Sequence, residues 1–181
     1  MTTTTPAPAP PQIPAGYAPV QADLTAWVTT PFSFLAGATL FRGQLQGTEA
    51  LSGWTLAELD TVLEDPYGGW SATATGSQAA WSWLCPAGCS GWYEITLDGL
   101  TNAQSGTSEV WTALYVDGAA YQVASGADGS ATTASGSSGS VMVPLLGGSD
   151  YVSMYIYSSG SVNTPATAGR YPSMEIAWIS S

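Results

Sequence analysis

From residue 39 onward the sequence predicts an all-β domain, on three observations. The apolar runs are short and split by Gly, Ser and Asp. No long stretch repeats with the 3.6-residue period of a helix, and several runs alternate apolar with polar as a strand with one buried face does.

The elements follow in order. Residues 1–16, MTTTTPAPAPPQIPAG, are of low complexity, and their alternating prolines favour an extended polyproline-like arm. In the anchor segment 17–38, Asp23 can cap a short helix that Pro31 ends. That helix is too short to stand alone, so Leu24, Trp27, Val28, Phe32, Phe34 and Leu35 are expected to anchor the chain against another surface. The β-domain is expected over 39–181, with strands near 39–46, 54–64, 78–84, 91–98, 109–117, 119–125, 140–146, 150–158 and 172–180. Four of these share a face by alternation: Tyr93, Ile95 and Leu97; Val110, Leu114 and Val116; Val152, Met154 and Ile156; Met174, Ile176 and Trp178. The pair 117-DG-118 between apolar runs predicts a hairpin, and 126-GADGSATTASGSSG-139 reads as a surface loop. Strands at this spacing fit either a sandwich or a jelly roll, which differ only in connectivity.

Composition narrows the function. Charged residues are 8% of the chain, against about 25% in an ordinary soluble domain. The net charge of −11 repels nucleic acid and anionic membrane surfaces alike. No apolar run approaches the ~18 residues of a membrane span, and no secretory signal pattern opens the chain. With no histidine and no lysine, a hydroxyl nucleophile has no conventional base, so an enzyme is not expected. No cofactor is expected either.

Three groups remain as candidate chemistry. Cys85 and Cys89 offer two thiols without imidazole, too few for a structural zinc site; they form either a small disulfide loop or two buried thiols. Pro86, Gly88 and Gly91 around them point to a corner rather than to redox chemistry. The acids Glu58, Asp60, Glu64 and Asp65 could make a glycosidase pair or hold calcium, but a solvated strand ending in a turn explains them as well. Trp81, Trp83 and Trp92 could stack on a host surface glycan, although aromatics in strands more often fill a core or a subunit interface. Sugar binding requires at least two of Trp54, Trp70, Trp81, Trp83, Trp92 and Trp111 exposed on one face.

Taken in order and spacing, WSWLCPAGCSGWYEIT, ALYVDGAAY, MVPLLGGSDYVSMYIYSS and YPSMEIAWIS resemble the C1q/TNF-like jelly roll. The matching positions are Gly91-Trp92-Tyr93 at a strand start, Leu114 to Gly118 in a hairpin, and Leu146, Gly148 and Asp150 in a turn. Ser149 and a second cysteine before Gly91 depart from that pattern. The resemblance implies an antiparallel jelly-roll sandwich, here preceded by a Pro-rich arm and a short helix. It also implies packing of three copies about a threefold axis, a homotrimer held by hydrophobic burial. Because several strands are apolar on both sides, Tyr115, Tyr155, Tyr157 and Ile179 are expected at that contact, with Tyr155→Asp dissociating it. The block ADLTAWVTTPFSFLAG joined to such a domain resembles short virion proteins of tailed phages that infect actinobacteria. The expected function is a structural virion protein made in the host cytoplasm and bound to other virion proteins through its arm. A minor tail protein at the tail tip or fibre comes first, then a capsid decoration protein. A carbohydrate-binding adhesin is the alternative of another class.

Overall fold

The computed structural model describes residues 39–102, 109–128, 135–165 and 170–180. The arm 1–16, the helix expected within 17–38 and all six anchor residues lie outside them. The described chain forms β1 (Thr39–Gln44), β2 (Ala50–Leu56), β3 (Thr61–Glu64), β4 (Trp70–Ser71), β5 (Ser82–Leu84), β6 (Gly91–Thr101), β7 (Glu109–Val116), β8 (Ala119–Asp128), β9 (Ser135–Leu145), β10 (Tyr151–Asn163) and β11 (Ser173–Ser180). One sheet has the order β3-β1-β11-β6-β9 and the other β4-β5-β10-β7-β8. Along one edge of β10, β5 pairs with Tyr151 and Val152 while β2 pairs with Tyr155 to Asn163, so two strands share that edge end to end. Every pairing is antiparallel.

Alternation builds the core. Tyr93, Ile95 and Leu97 of β6, Val141, Val143 and Leu145 of β9, and Met174, Ile176 and Trp178 of β11 point inward from the first sheet. Val110 and Leu114 of β7 with Val152, Met154 and Ile156 of β10 meet them from the second. This burial, at roughly 25 cal/mol per Å² of apolar surface, is what holds the two sheets together. A register shift between Thr39 and Phe41 lets two successive residues, Leu40 and Phe41, both face inward. The Asp117-Gly118 hairpin forms with φ of 51° and 77°, the doubly left-handed geometry of a type I′ turn.

Three expectations about the strands change. The run 54–64 is two strands, because the chain leaves β2 in one sheet at Leu56 and enters β3 in the other at Thr61; Ala57 and Leu59 are buried in the crossing. The strand expected at 78–84 shortens to Ser82–Leu84 because Trp81 has φ 56°, outside strand geometry. Much of the loop expected at 126–139 is strand, since β9 pairs with β6 from Leu145 back to Ser135. Small Ser and Gly side chains suit that end, where Thr101, Thr112, Ser135 and Ser137 face inward in place of apolar residues.

Candidate functional site

The cysteine corner is architectural. Both thiols are free, and Cys85 is buried. Its Sγ lies 3.2 Å from the Tyr93 hydroxyl and 3.5 Å from the Cys89 carbonyl, which also accepts a hydrogen bond from that hydroxyl. The Cys85 N–H donates to the Asp150 carbonyl at 2.9 Å and its own carbonyl accepts from Gly148 at 2.8 Å. Burial pushes the Cys85 thiol up to about 12 and raises Cys89 and Tyr93 as well. A thiol so protonated is a poor nucleophile and a poor metal ligand. The disulfide considered for this pair is absent here: Cys85 Sγ is turned to the tyrosine hydroxyl and the carbonyl.

Two of the four acids in the acidic stretch, Asp60 and Asp65, spend their carboxylates on loop backbone. Asp60 accepts from the N–H groups of Gln46 and Gly47, each at 2.8 Å, and Asp65 from those of Gly69 at 3.0 Å and Trp70 at 2.9 Å. No group of three or more His, Cys, Asp or Glu is placed to hold a metal ion among the described residues. Glu49, half-buried beside Glu58, is a strongly shifted acid among the described residues; burial raises it to about 7, and the nearby Glu58 charge adds to the rise. The Glu58 N–H donates to its carboxylate at 3.3 Å.

The tryptophans separate. Trp83 is 0% exposed and meets Tyr93 edge-on at 6.0 Å, so it is a core residue and unavailable to any glycan. Trp70 stacks on the core residue Phe41 at 4.8 Å, and Trp81 sits half-buried in the bend before β5. Trp92, 45% exposed, lies on the outer face of the first sheet. The three tryptophans expected as glycan contacts are therefore not brought together. Two others are: Trp54 (41% exposed) and Trp111 (38%) stand on the outer face of the second sheet, either side of Tyr157 in the strand register.

The tyrosines share that face. Tyr115 and Tyr155 stack with centroids 3.8 Å apart at 22°, and Trp54 leans on Tyr157 at 5.3 Å and 50°. Burial raises the Tyr155 hydroxyl, with Tyr115 and Tyr151 adding to the rise. Ala113 and Ser153, on the same side, are nearly closed off. Ile179 lies on the opposite side of the sandwich, on the face shared by Trp92, Met142 and Pro144. The four residues expected at a trimer contact thus do not form one surface, because strand parity sends three outward from one sheet and the fourth outward from the other.

No family model matches the sequence, and no curated protein does. Among solved structures the chain is similar to murine APRIL, with a TM-score of 0.54 and 8% identity over 78% of this chain and 98% of that one. It is similar also to the globular domain of zebrafish complement 1qA, with a TM-score of 0.54 and 12% identity over 77% of this chain and 95% of that one. At such identities the likeness is one of fold. The described residues form an all-β antiparallel sandwich with the C1q/TNF-like jelly-roll architecture.

Proposed function

We propose that this chain is a non-enzymatic structural protein of a tailed-phage virion, a minor tail protein that displays a trimeric β-domain on an N-terminal anchor. The virion placement is supported by the resemblance of ADLTAWVTTPFSFLAG to actinobacteriophage virion proteins and by a composition without histidine or lysine. The trimeric reading is supported by the resemblance to the C1q/TNF-like jelly roll, and the observation that carries self-association is an exposed apolar patch at the end of the first sheet's outer face, made by Trp92, Met142 and Ile179. With two basic residues against thirteen acids, hydrophobic burial rather than ion pairing must hold such a contact.

Two measurements test this reading. Light scattering of residues 39–181 at micromolar concentration is expected to give three times the protomer mass, and Met142→Asp is expected to reduce it to one; a wild-type monomer would refute intrinsic trimerisation. Quantitative mass spectrometry of purified virions is expected to find a handful of copies. Hundreds would replace the tail assignment with capsid decoration, and none would remove the virion reading.

A further inference from the structure

Three rings lie in a straight row across three adjacent strands of the second sheet. Tyr157 of β10 is opposite both Trp54 of β2 and Trp111 of β7. Neighbouring strands are about 4.8 Å apart, so the two tryptophan Cα atoms are separated by ~10 Å, about the span of a disaccharide. On β8 the residue opposite Trp111 is Gly126, and a Cβ added there would lie 3.1, 3.3 and 3.4 Å from three atoms of the indole. Near-equal distances mean that the glycine faces the plane of the ring and not its rim. One face of the indole therefore covers Gly126, and the ring as a whole remains 38% exposed.

A row of partly exposed aromatic rings suits one kind of ligand surface in particular. The C–H face of a pyranose carries partial positive charge and meets the negative face of an aromatic ring, while its hydroxyls need polar partners at the margin. Glu109 and Ser159, joined by a 3.1 Å hydrogen bond from the Glu109 N–H to the serine hydroxyl, supply a carboxylate and a hydroxyl beyond Trp111 and Tyr157. Arg42 lies on the other sheet, in β1, and the chain carries −11. An anionic polysaccharide would be repelled.

We propose that Trp54, Tyr157 and Trp111 form a platform for a neutral glycan, the two exposed tryptophans stacking on separate pyranose units of an unbranched chain and Tyr157, to which Trp54 is tilted at 50°, supporting them from between. The platform does not depend on the virion reading.

Calorimetric titration of the full chain with neutral tetrasaccharides of glucose, N-acetylglucosamine, mannose and galactose tests it. At least one is expected to bind saturably, with millimolar or tighter affinity. Trp54→Ala and Trp111→Ala should each weaken that binding at least tenfold, whereas Trp92→Ala, on the opposite face, should leave it unchanged. Because Trp111 covers Gly126, Trp111→Phe serves as the folded control that keeps a ring and retains binding within a few-fold. Failure of the folded wild type to bind any of the four would overturn the platform. So would equal loss of binding in Trp92→Ala, or full binding in Trp54→Ala. If Trp54→Ala instead converts an oligomer to a monomer in light scattering, the occupant of this face is a second copy and the glycan assignment fails.

Discussion

The two outer faces of this sandwich are made by the same rule and differ in chemistry. On the first sheet, alternation turns out Trp92, Met142 and Ile179 together with Glu94 and Glu175, so apolar side chains are mixed with acids. On the second it turns out Trp54, Trp111, Tyr115, Tyr155 and Tyr157, largely without charge; Tyr115 and Tyr155 stack, and Trp54 is tilted at 50° to Tyr157. The first face thus offers apolar groups among acids, the second a nearly uncharged run of aromatic rings. Exposure alone does not separate these cases, since Trp54 and Trp92 are exposed to nearly the same degree. Shape and charge around them do.

The largest expected effect compares the inside of the sandwich with its surface. Trp83→Ala should cost about 3–5 kcal/mol by leaving a cavity, whereas Leu146→Ala, at a position 61% exposed, should cost about 0.5 kcal/mol as a surface change. Urea unfolding at one fixed protein concentration measures both, and similar losses would erase the distinction between core and surface. Next comes assembly. Ile179→Asp should lower the mass seen by light scattering as Met142→Asp does, while Tyr155→Asp should leave it unchanged. A monomer with Tyr155→Asp would move the contact to the tyrosine face. Within that face, Tyr115→Ala should lose about 0.5–1.5 kcal/mol from the stacked pair, readable as an earlier unfolding midpoint with the mass intact.

A further effect is in pH dependence, at Glu49, just before β2. Its folded value of about 7 lies above the ordinary 4.5, so between these values the folded state holds more proton than the unfolded one. Stability from this group is therefore present below about 4.5, falls as pH rises toward 7, and is flat above. Glu49→Gln should remove that slope. An unchanged profile of unfolding midpoint against pH would show that Glu49 ionises in the folded chain as it does in the unfolded one.

The long alternating strands were legible because parity is a local property: Tyr93, Ile95 and Leu97 face one way wherever β6 is placed. The crossing at 57–60 was not, since Leu56, Ala57 and Leu59 continue an apolar run while the chain changes sheets. The Gly- and Ser-rich residues 135–139 read as loop because only the register with β6 makes them strand. For the same reason six tryptophans could be named but not sorted. Trp81 and Trp83 share a parity that the left-handed Trp81 breaks, and Trp54 joins Trp111 only through β10, some hundred residues further along the chain.

The order in which the strands are synthesised differs sharply from their order in space. β10 is central in its sheet, binding β2, β5 and β7, and β11 lies between β1 and β6 in the other. A ribosome therefore makes nine of the described strands before either central one emerges. Until then β6 can pair with β9 and β7 with β8, but β1, β2 and β5 lack their main partners and the two sheets cannot be completed. Folding should be slow and all-or-none, as for chains dominated by distant contacts. The nascent chain would meanwhile hold a series of unpaired, aromatic-rich edges. With so few charges to keep such edges apart, the yield of native protein should depend on how quickly residues 151–180 follow the rest out of the exit tunnel.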